Sequence, residues 1–150
     1  MTDVHDAAAR SRNMAAVRSR DTKPELIIRR ALHAAGLRYR LNVRNLPGRP
    51  DIVLPRHRAI VFVHGCFWHR HGCELFRWPE SRADFWREKL NGNAARDERA
   101  AQALNEAGWR RAVIWECALR GSKKLEFHHA MQQLIAWIRS DEPLLTVGGE

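Results

Sequence analysis

Cys66, His71 and Cys73 fall within eight residues as C-x4-H-x-C, and Cys117 follows much later in the chain. Three thiolates and an imidazole suit tetrahedral Zn²⁺, and a filled four-ligand set belongs to a structural rather than a catalytic site. An odd number of cysteines, behind a polar and Arg-rich beginning that is no secretory leader, argues against a disulfide framework. The spacing is not that of a common zinc finger. Three buried reduced cysteines beside an exposed histidine are the plainer alternative at this point.

A second group has the elements of hydrolytic chemistry. Asp51 begins one apolar segment and His64 ends the next, so a hairpin of the two brings polar groups to one end of a sheet and His64 toward Asp51. A carboxylate is a hard oxygen ligand suited to Mg²⁺. His69, in the irregular stretch that follows, titrates near neutrality when unperturbed and has the right chemistry to take a proton from water. Each residue also has an ordinary reading: Asp51 as a turn former, His64 or His69 as a spare metal ligand or a surface side chain.

Phe67, Trp68 and Trp86 stand among Arg70, Arg77, Arg82 and Arg87. Core packing is the ordinary reading of such aromatics. Rings beside cations are also what a DNA wedge requires, since the rings replace lost base stacking while the cations hold phosphates.

The elements that must position these groups alternate between helix and strand patterns. Thr22-Lys23-Pro24-Glu25 has capping-box spacing and Gly36 a C-cap position, so residues 23–35 read as a helix with Leu26, Ile27, Ala31, Leu32 and Ala35 on its buried face. Residues 37–43 alternate apolar and polar as a half-buried strand, broken by Asn45 to Pro50. Residues 51–54 and 59–63 read as paired strands, and 64–79 as a loop dense in Cys, His and aromatics that needs bracing. Residues 81–107 read as a helix interrupted near Asn91-Gly92-Asn93, 109–115 as a strand, and 122–138 as a closing helix. The expected fold class is α/β, a mixed sheet flanked by helices. A basic arm over 1–21, a domain over 22–140 and a flexible tail over 141–150 complete the organisation.

At 150 residues the chain has room for one core. No segment reaches the roughly 20 apolar residues of a membrane span, so a cytoplasmic location is expected. Twenty-six Lys and Arg against seventeen acids leave a net charge of +9, which favours a polyanionic partner. A solvated basic surface has the same composition.

Three runs carry a resemblance: Leu46-Pro47-Gly48-Arg49-Pro50-Asp51, Phe62-Val63-His64-Gly65-Cys66-Phe67-Trp68-His69, and Trp115-Glu116-Cys117-Ala118-Leu119-Arg120-Gly121. With Arg18 to Asp21, Phe85-Trp86 and Gly108-Trp109 they resemble the signature segments of the very short patch repair (Vsr) endonucleases over about residues 3–138. The resemblance implies a restriction-endonuclease-like fold, in which the D…(D/E)-x-K pattern becomes Asp51…Phe62-Val63-His64 with one carboxylate in place of two. It implies Asp51 as the Mg²⁺ ligand with the Val63 carbonyl, His69 as general base, His64 in support, and Glu25 as a fourth member whose capping position explains it equally well. It implies a structural Zn²⁺, intercalation of Phe67, Trp68 and Trp86 beside the mispair, and Met14 in the minor groove. The implied reaction is a nick 5′ of the T in a T·G mispair left by 5-methylcytosine deamination, made by a monomer in the bacterial cytoplasm at the nucleoid. A cytosine-5 DNA methyltransferase, DNA polymerase I and ligase are the implied functional companions. A zinc-dependent DNA-binding module without catalysis, and a dimeric restriction-type nuclease cutting matched DNA, are the competing classes.

Overall fold

A computed structural model describes residues 23–120 and 124–148. The basic arm with Met14, the Thr22 cap and the Gly121 end of the third run lie outside the described residues.

The first helix, α1 (Lys23–Ala34), buries Glu25, Ile28 and Leu32. It stops at Gly36, whose φ of +86° lets the Leu37 N–H reach back to the Leu32 carbonyl at 3.0 Å. The segment expected as a strand over 37–43 is not one. It makes a single antiparallel bridge, Arg40 to Val53, because left-handed Asn42 turns the chain before a ladder can extend.

Strands β1 (Ile52–Leu54) and β2 (Ala59–His64) pair antiparallel across a 3-10 turn at Pro55–His57. A long helix, α2 (Ala83–Glu106), crosses over to β3 (Arg110–Trp115), which lies parallel to β2 with His64 opposite Trp115. A short helix, α3 (Glu116–Leu119), follows. Helix α4 (Phe127–Ile138) is capped by the Glu126 carboxylate, which accepts from the His128 and His129 N–H groups. It begins five residues later than the periodicity predicts, since the Glu126 cap supplies a start that the apolar pattern does not reveal.

The tail expected to be flexible instead forms β4 (Leu144–Val147), parallel to β3 at the edge of a sheet ordered β1-β2-β3-β4. Gly148 closes it, with φ +95° and so little space that a Cβ would lie 2.9 Å from that of Ala118. The fold is a mixed four-stranded sheet with flanking helices. Ile28, Leu32, Met131, Leu134, Trp137 and Ile138 of α1 and α4 cover one face, and Leu104 of α2 packs with Val53, Ile60 and Phe62 on the other. Each large aliphatic side chain buried this way stabilises by about 1.5–3 kcal/mol. Among the described residues no helix is long and apolar enough to cross a membrane.

The interruption expected at Asn91-Gly92-Asn93 is absent, and α2 runs through it. Asparagine and glycine are poor helix formers, but here both asparagines are recruited. Asn91 accepts from Arg70 at 2.9 Å and Asn93 donates to the Trp68 carbonyl at 3.0 Å, so the weak helical stretch holds the 64–79 loop.

Arg110 binds together parts of the chain that are far apart in sequence. Its guanidinium donates to the carbonyls of His57 and Ile138 at 2.8 Å, Trp137 at 3.1 Å and Glu142 at 3.2 Å, and lies over the Trp137 ring. It therefore caps the C-terminus of α4 and anchors the approach to β4. Arg110→Met should cost ~2–4 kcal/mol, because four carbonyls lose a charged donor. At ~2–4 °C per kcal/mol for a chain of this size, that is a fall of ~5–15 °C in Tm. Arg110→Lys should recover only part of it. A Tm unchanged by Arg110→Met in thermal denaturation would dismiss this role.

Candidate active site and metal cluster

The parallel pairing of β2 with β3 delivers both site regions to one end of the sheet. Past His64 and Trp115 the two chains leave the sheet side by side, which brings the 66–73 loop against α3. Cys66, His71, Cys73 and Cys117 converge there, with ligand atoms within 4.8 Å of one another. His71 Nδ1 lies 3.4 Å from Cys66 Sγ and 3.6 Å from Cys117 Sγ. Zn–S and Zn–N bonds in a tetrahedron place sulfur and nitrogen about 3.6 Å apart, so the cluster is consistent with a zinc site.

The surroundings of the cluster fit a metal. The Cys117 N–H donates to Cys66 Sγ at 3.3 Å and the Cys66 N–H to the Glu116 carboxylate at 3.2 Å. Burial holds the Cys66 thiol well above its ordinary pKa, and burial also lowers the His71 imidazole, favouring the neutral ligand form. A buried thiol that resists ionisation in a cation's absence, yet receives an N–H bond suited to a thiolate, matches a divalent ion. The cysteines are unbridged.

The Trp115 ring walls this cluster off from a second one. His71 stacks on one side of it at 3.8 Å between centroids, and His64 meets it edge-on at 5.1 Å. His64 in turn stacks on His69 at 3.7 Å with planes 7° apart. Burial first, and the neighbouring His69 second, push His64 down to about 3, so its ring is neutral at ordinary pH. His69 Nδ1 sits 2.6 Å from Asp97 Oδ2.

Asp51 lies in an adjoining cavity of about 520 Å³, lined also by Glu25, Arg29, Val63 and His69. Its Oδ2 accepts from the Val63 N–H at 2.6 Å, which ties the carboxylate to β2. Burial pushes the Asp51 carboxyl up to about 7 against that hydrogen bond, and the charge and hydrogen bond of Glu25 add to the rise. Glu25 itself is 2% exposed and is bonded by Arg29 at 3.3 Å. A half-buried carboxyl beside a buried one offers hard oxygen donors close together, which fits hard-metal binding.

The structure thus brings together Asp51, Glu25, Val63 and His69. It does not bring His64 to Asp51. Alternation along β2 turns His64 toward α2, into a cavity of about 280 Å³ shared with His69, Asp97 and Arg111, so His69 alone among the described histidines borders both spaces. Sequence reading missed Asp97 and Trp115. Asp97 follows Asn93 by one helical turn, on the face that meets the loop, but the neighbouring charges Arg96, Glu98 and Arg99 make it look like one more exposed helix acid.

Phe67, Trp68 and Trp86 form one aromatic cluster, with centroids 5.3–5.9 Å apart. Trp86 is buried beneath it. Phe76, Trp78 and Phe85 extend it outward, with Arg87 over Trp78 and Arg82 over Phe85.

A family model described as DNA mismatch endonuclease Vsr matches residues 2–75. The chain is 47% identical over 138 residues to the DNA mismatch endonuclease Vsr of Escherichia coli, covering 92% of this chain and 88% of that one. It is 48% identical over 126 residues to a type II nicking enzyme of Xanthomonas oryzae pv. oryzae, covering 84% and 93%. A type II nicking enzyme of Neisseria meningitidis serogroup A is 42% identical over 120 residues, covering 80% and 86%.

The cluster geometry predicts about one zinc per purified chain, a stoichiometry set by the four-ligand site. Cys117→Ser should lose the metal and much of the stability, since structural zinc contributes on the order of 10 kcal/mol of folding-linked binding. Metal analysis that finds active protein free of zinc would end the idea.

Asp51 predicts a pH effect of definite sign. Its folded pKa of about 7 exceeds the unfolded carboxylate value, so stability present in acid is lost as pH rises through about 7. Asp51→Asn keeps an acceptor for Val63 and removes the charge. Without added magnesium it should be more stable than the parent at alkaline pH, on the order of 1 kcal/mol or more, with the gap shrinking toward acid. Melting curves showing equal stability across this range would refute the buried-carboxyl argument.

Proposed function

We propose, from the premise that the chain belongs to the Vsr DNA mismatch endonuclease family and is a DNA nicking endonuclease, that it cuts duplex DNA 5′ of the T in a T·G mispair. The observation that carries the chemistry is the convergence of Asp51, Glu25 and His69 on one cavity, with Asp97 behind His69 at 2.6 Å from its Nδ1.

Asp51 and Glu25, with the Val63 carbonyl, would hold the catalytic cation. When bound, Mg²⁺ supplies positive charge beside the reacting phosphodiester. Because Asp51 must shed a proton to take that role, cation affinity rises with pH through about 7. Asp97 accepts from His69 Nδ1 and so leaves the Nε2 lone pair free to receive a proton from the attacking water. His64, neutral and stacked face to face on His69, fixes the plane of that ring. Water attacks phosphorus and gives its proton to His69, the bond to the 3′ oxygen breaks, and that oxygen takes a proton from solvent, leaving a 3′-hydroxyl and a 5′-phosphate.

Phe67, Trp68 and Trp86 would supply mismatch selectivity. A mispaired step is cheaper to open than a matched one, and a ring inserted there regains the lost stacking. Trp68 is fit for this by its carbonyl, which Asn93 fixes to α2. The Cys66/His71/Cys73/Cys117 set would hold the loop that carries Phe67, Trp68 and His69. Two relatives are named as type II nicking enzymes, which favours a second reading in which flanking sequence governs where the nick falls.

Labelled T·G and matched duplexes incubated with and without Mg²⁺ separate these readings. One Mg²⁺-dependent nick confined to the T·G strand is expected. Asp51→Ala should abolish it and His69→Ala slow it by roughly 10² or more, both with duplex binding retained. Trp68→Ala should lose roughly tenfold to a hundredfold in affinity for the T·G duplex and less for the matched one. Equal nicking of matched DNA would hand the reading to sequence-directed cleavage, and cleavage of both strands would reject either form.

A further inference from the structure

The turn before Asp51 is built around a position that only glycine fills. At Gly48 φ is +76°, and a Cβ there would lie 2.9 Å from the Ala100 Cβ and 3.1 Å from the Phe62 ring. The turn is thereby pressed onto α2 and closed by the Arg49 N–H donating to the Leu46 carbonyl. Arg49 follows, itself left-handed at φ +49°. A side-chain-bearing residue persists in that conformation only where its surroundings impose it. Here Gly48 in front, and Pro50 and the tethered Asp51 behind, do so.

The consequence is where Arg49 stands. Arg49 borders the 520 Å³ cavity of Asp51, Glu25 and His69, and also a second cavity of about 600 Å³ lined by Arg96, Asp97 and Arg99. Gly48 and Arg49 are the junction of the two. Arg44 stands at the first cavity, Arg96 and Arg99 at the second, so exposed cations line a path past the proposed catalytic groups on both sides. The anions nearest this path are already engaged: Glu25 by Arg29 and Asp97 by His69. The Arg44, Arg49 and Arg99 side chains make no hydrogen bond or ion pair among the described residues.

We propose that Arg49 is a phosphate-holding residue, taking the phosphodiester next to the scissile one on the same strand, with Arg96 and Arg99 continuing the track. This rests on the nicking reading for the identity of the strand. The planar guanidinium grips phosphate through two parallel hydrogen bonds, which fixes position as well as charge. A neighbouring phosphate held at the junction of the two cavities sets the scissile one against Asp51 and His69. Arg49 acts on the reaction as a positioning residue.

The test uses the full chain and a T·G duplex over a salt series from about 50 to 200 mM. Arg49→Ala should lower affinity roughly fivefold to tenfold and reduce the slope of log binding constant against log salt by about 0.9, one phosphate contact. Arg49→Gly should do the same. Glycine accepts the left-handed backbone, so it keeps the turn and removes only the guanidinium. Arg49→Lys should retain the slope but nick more slowly, since charge remains and the paired hydrogen bonds do not. Salt slopes in the Ala and Gly variants equal to the parent's, or parental binding restored by Gly, would overturn the proposal. If the parent nicks normally and the slopes are unchanged, only Arg49 has been misplaced. If the parent binds without nicking and the slopes still fall, the phosphate contact stands and the nuclease reading fails.

Discussion

The register that sets His64 opposite Trp115 is the constraint on which both site regions depend. Parallel strands leave a sheet in the same direction, so the residues after His64 and after Trp115 are forced to share the space beyond its end. One chain carries Cys66, His71 and Cys73 into that space and the other carries Cys117. A slip of one residue would turn every side chain of β3 to the opposite face and carry the Trp115 ring away from the imidazoles it separates. The apolar contents of the strands, Ile60 and Phe62 on one side and Ala59 and Val61 on the other, enforce the register through two different cores. The site is therefore specified by packing that has no chemical role of its own.

Working against that packing is the cost of the groups it positions. Glu25 is a carboxyl held out of water with the half-buried Asp51 beside it, and His64 is an imidazole whose buried Nδ1 has no hydrogen-bond partner among the described residues. Each would be better solvated elsewhere. In the proposed reaction a cation and a phosphate would complete them, because a site dry enough to resist ionisation is also one in which added charges interact strongly. The fold offsets this cost with fully buried aliphatics on both sheet faces and with Arg110, whose four carbonyl contacts lie at the opposite end of β3 from the histidines. Stability and chemistry are thus separated along the same strand.

The parts of this arrangement that were legible in the sequence are those with a local signature. Gly36 ends α1 by its own backbone freedom, the 51–64 hairpin announces itself by apolar runs around a turn, and an odd set of thiols with a histidine close by points to metal. What escaped was set by partners distant in sequence. Residues 37–43 alternate like a strand, but alternation records half-burial and cannot report that Asn42 breaks the ladder. Leu144 to Val147 is short and half exposed, and only pairing with β3 makes it a strand. Asn91 and Asn93 have the propensity of a break, and the loop that engages them lies some twenty residues earlier. Asp97 is the instructive omission. Its role is conferred by His69, and nothing adjacent to it in the chain differs from an ordinary solvated helix. Glu25 is the converse case: capping spacing offered a complete local explanation, and the structure adds the long-range one.

Relatives named as a mismatch endonuclease and as nicking enzymes are similar to this chain over 80–92% of its length, and the division of labour within the fold is compatible with both names. The carboxyl and imidazole groups are fixed by strand ends and by α2, elements whose geometry the core enforces. The aromatics lie on the 64–79 loop and on the first turns of α2, where substitution changes what is touched without disturbing the sheet. Trp86 is buried under the cluster while Phe85 and Trp78 face outward beneath Arg82 and Arg87, so the inner rings are constrained by packing and the outer ones are not. Among the described residues the Asp51–Glu25 pair and His69 border this cavity once, which gives a single chain one proposed centre for hydrolysis. One centre on one side of a duplex reaches one strand, and a second cut would need a second chain related by symmetry. Nicking, rather than double-strand cleavage, is then the reaction that a lone copy of this site performs.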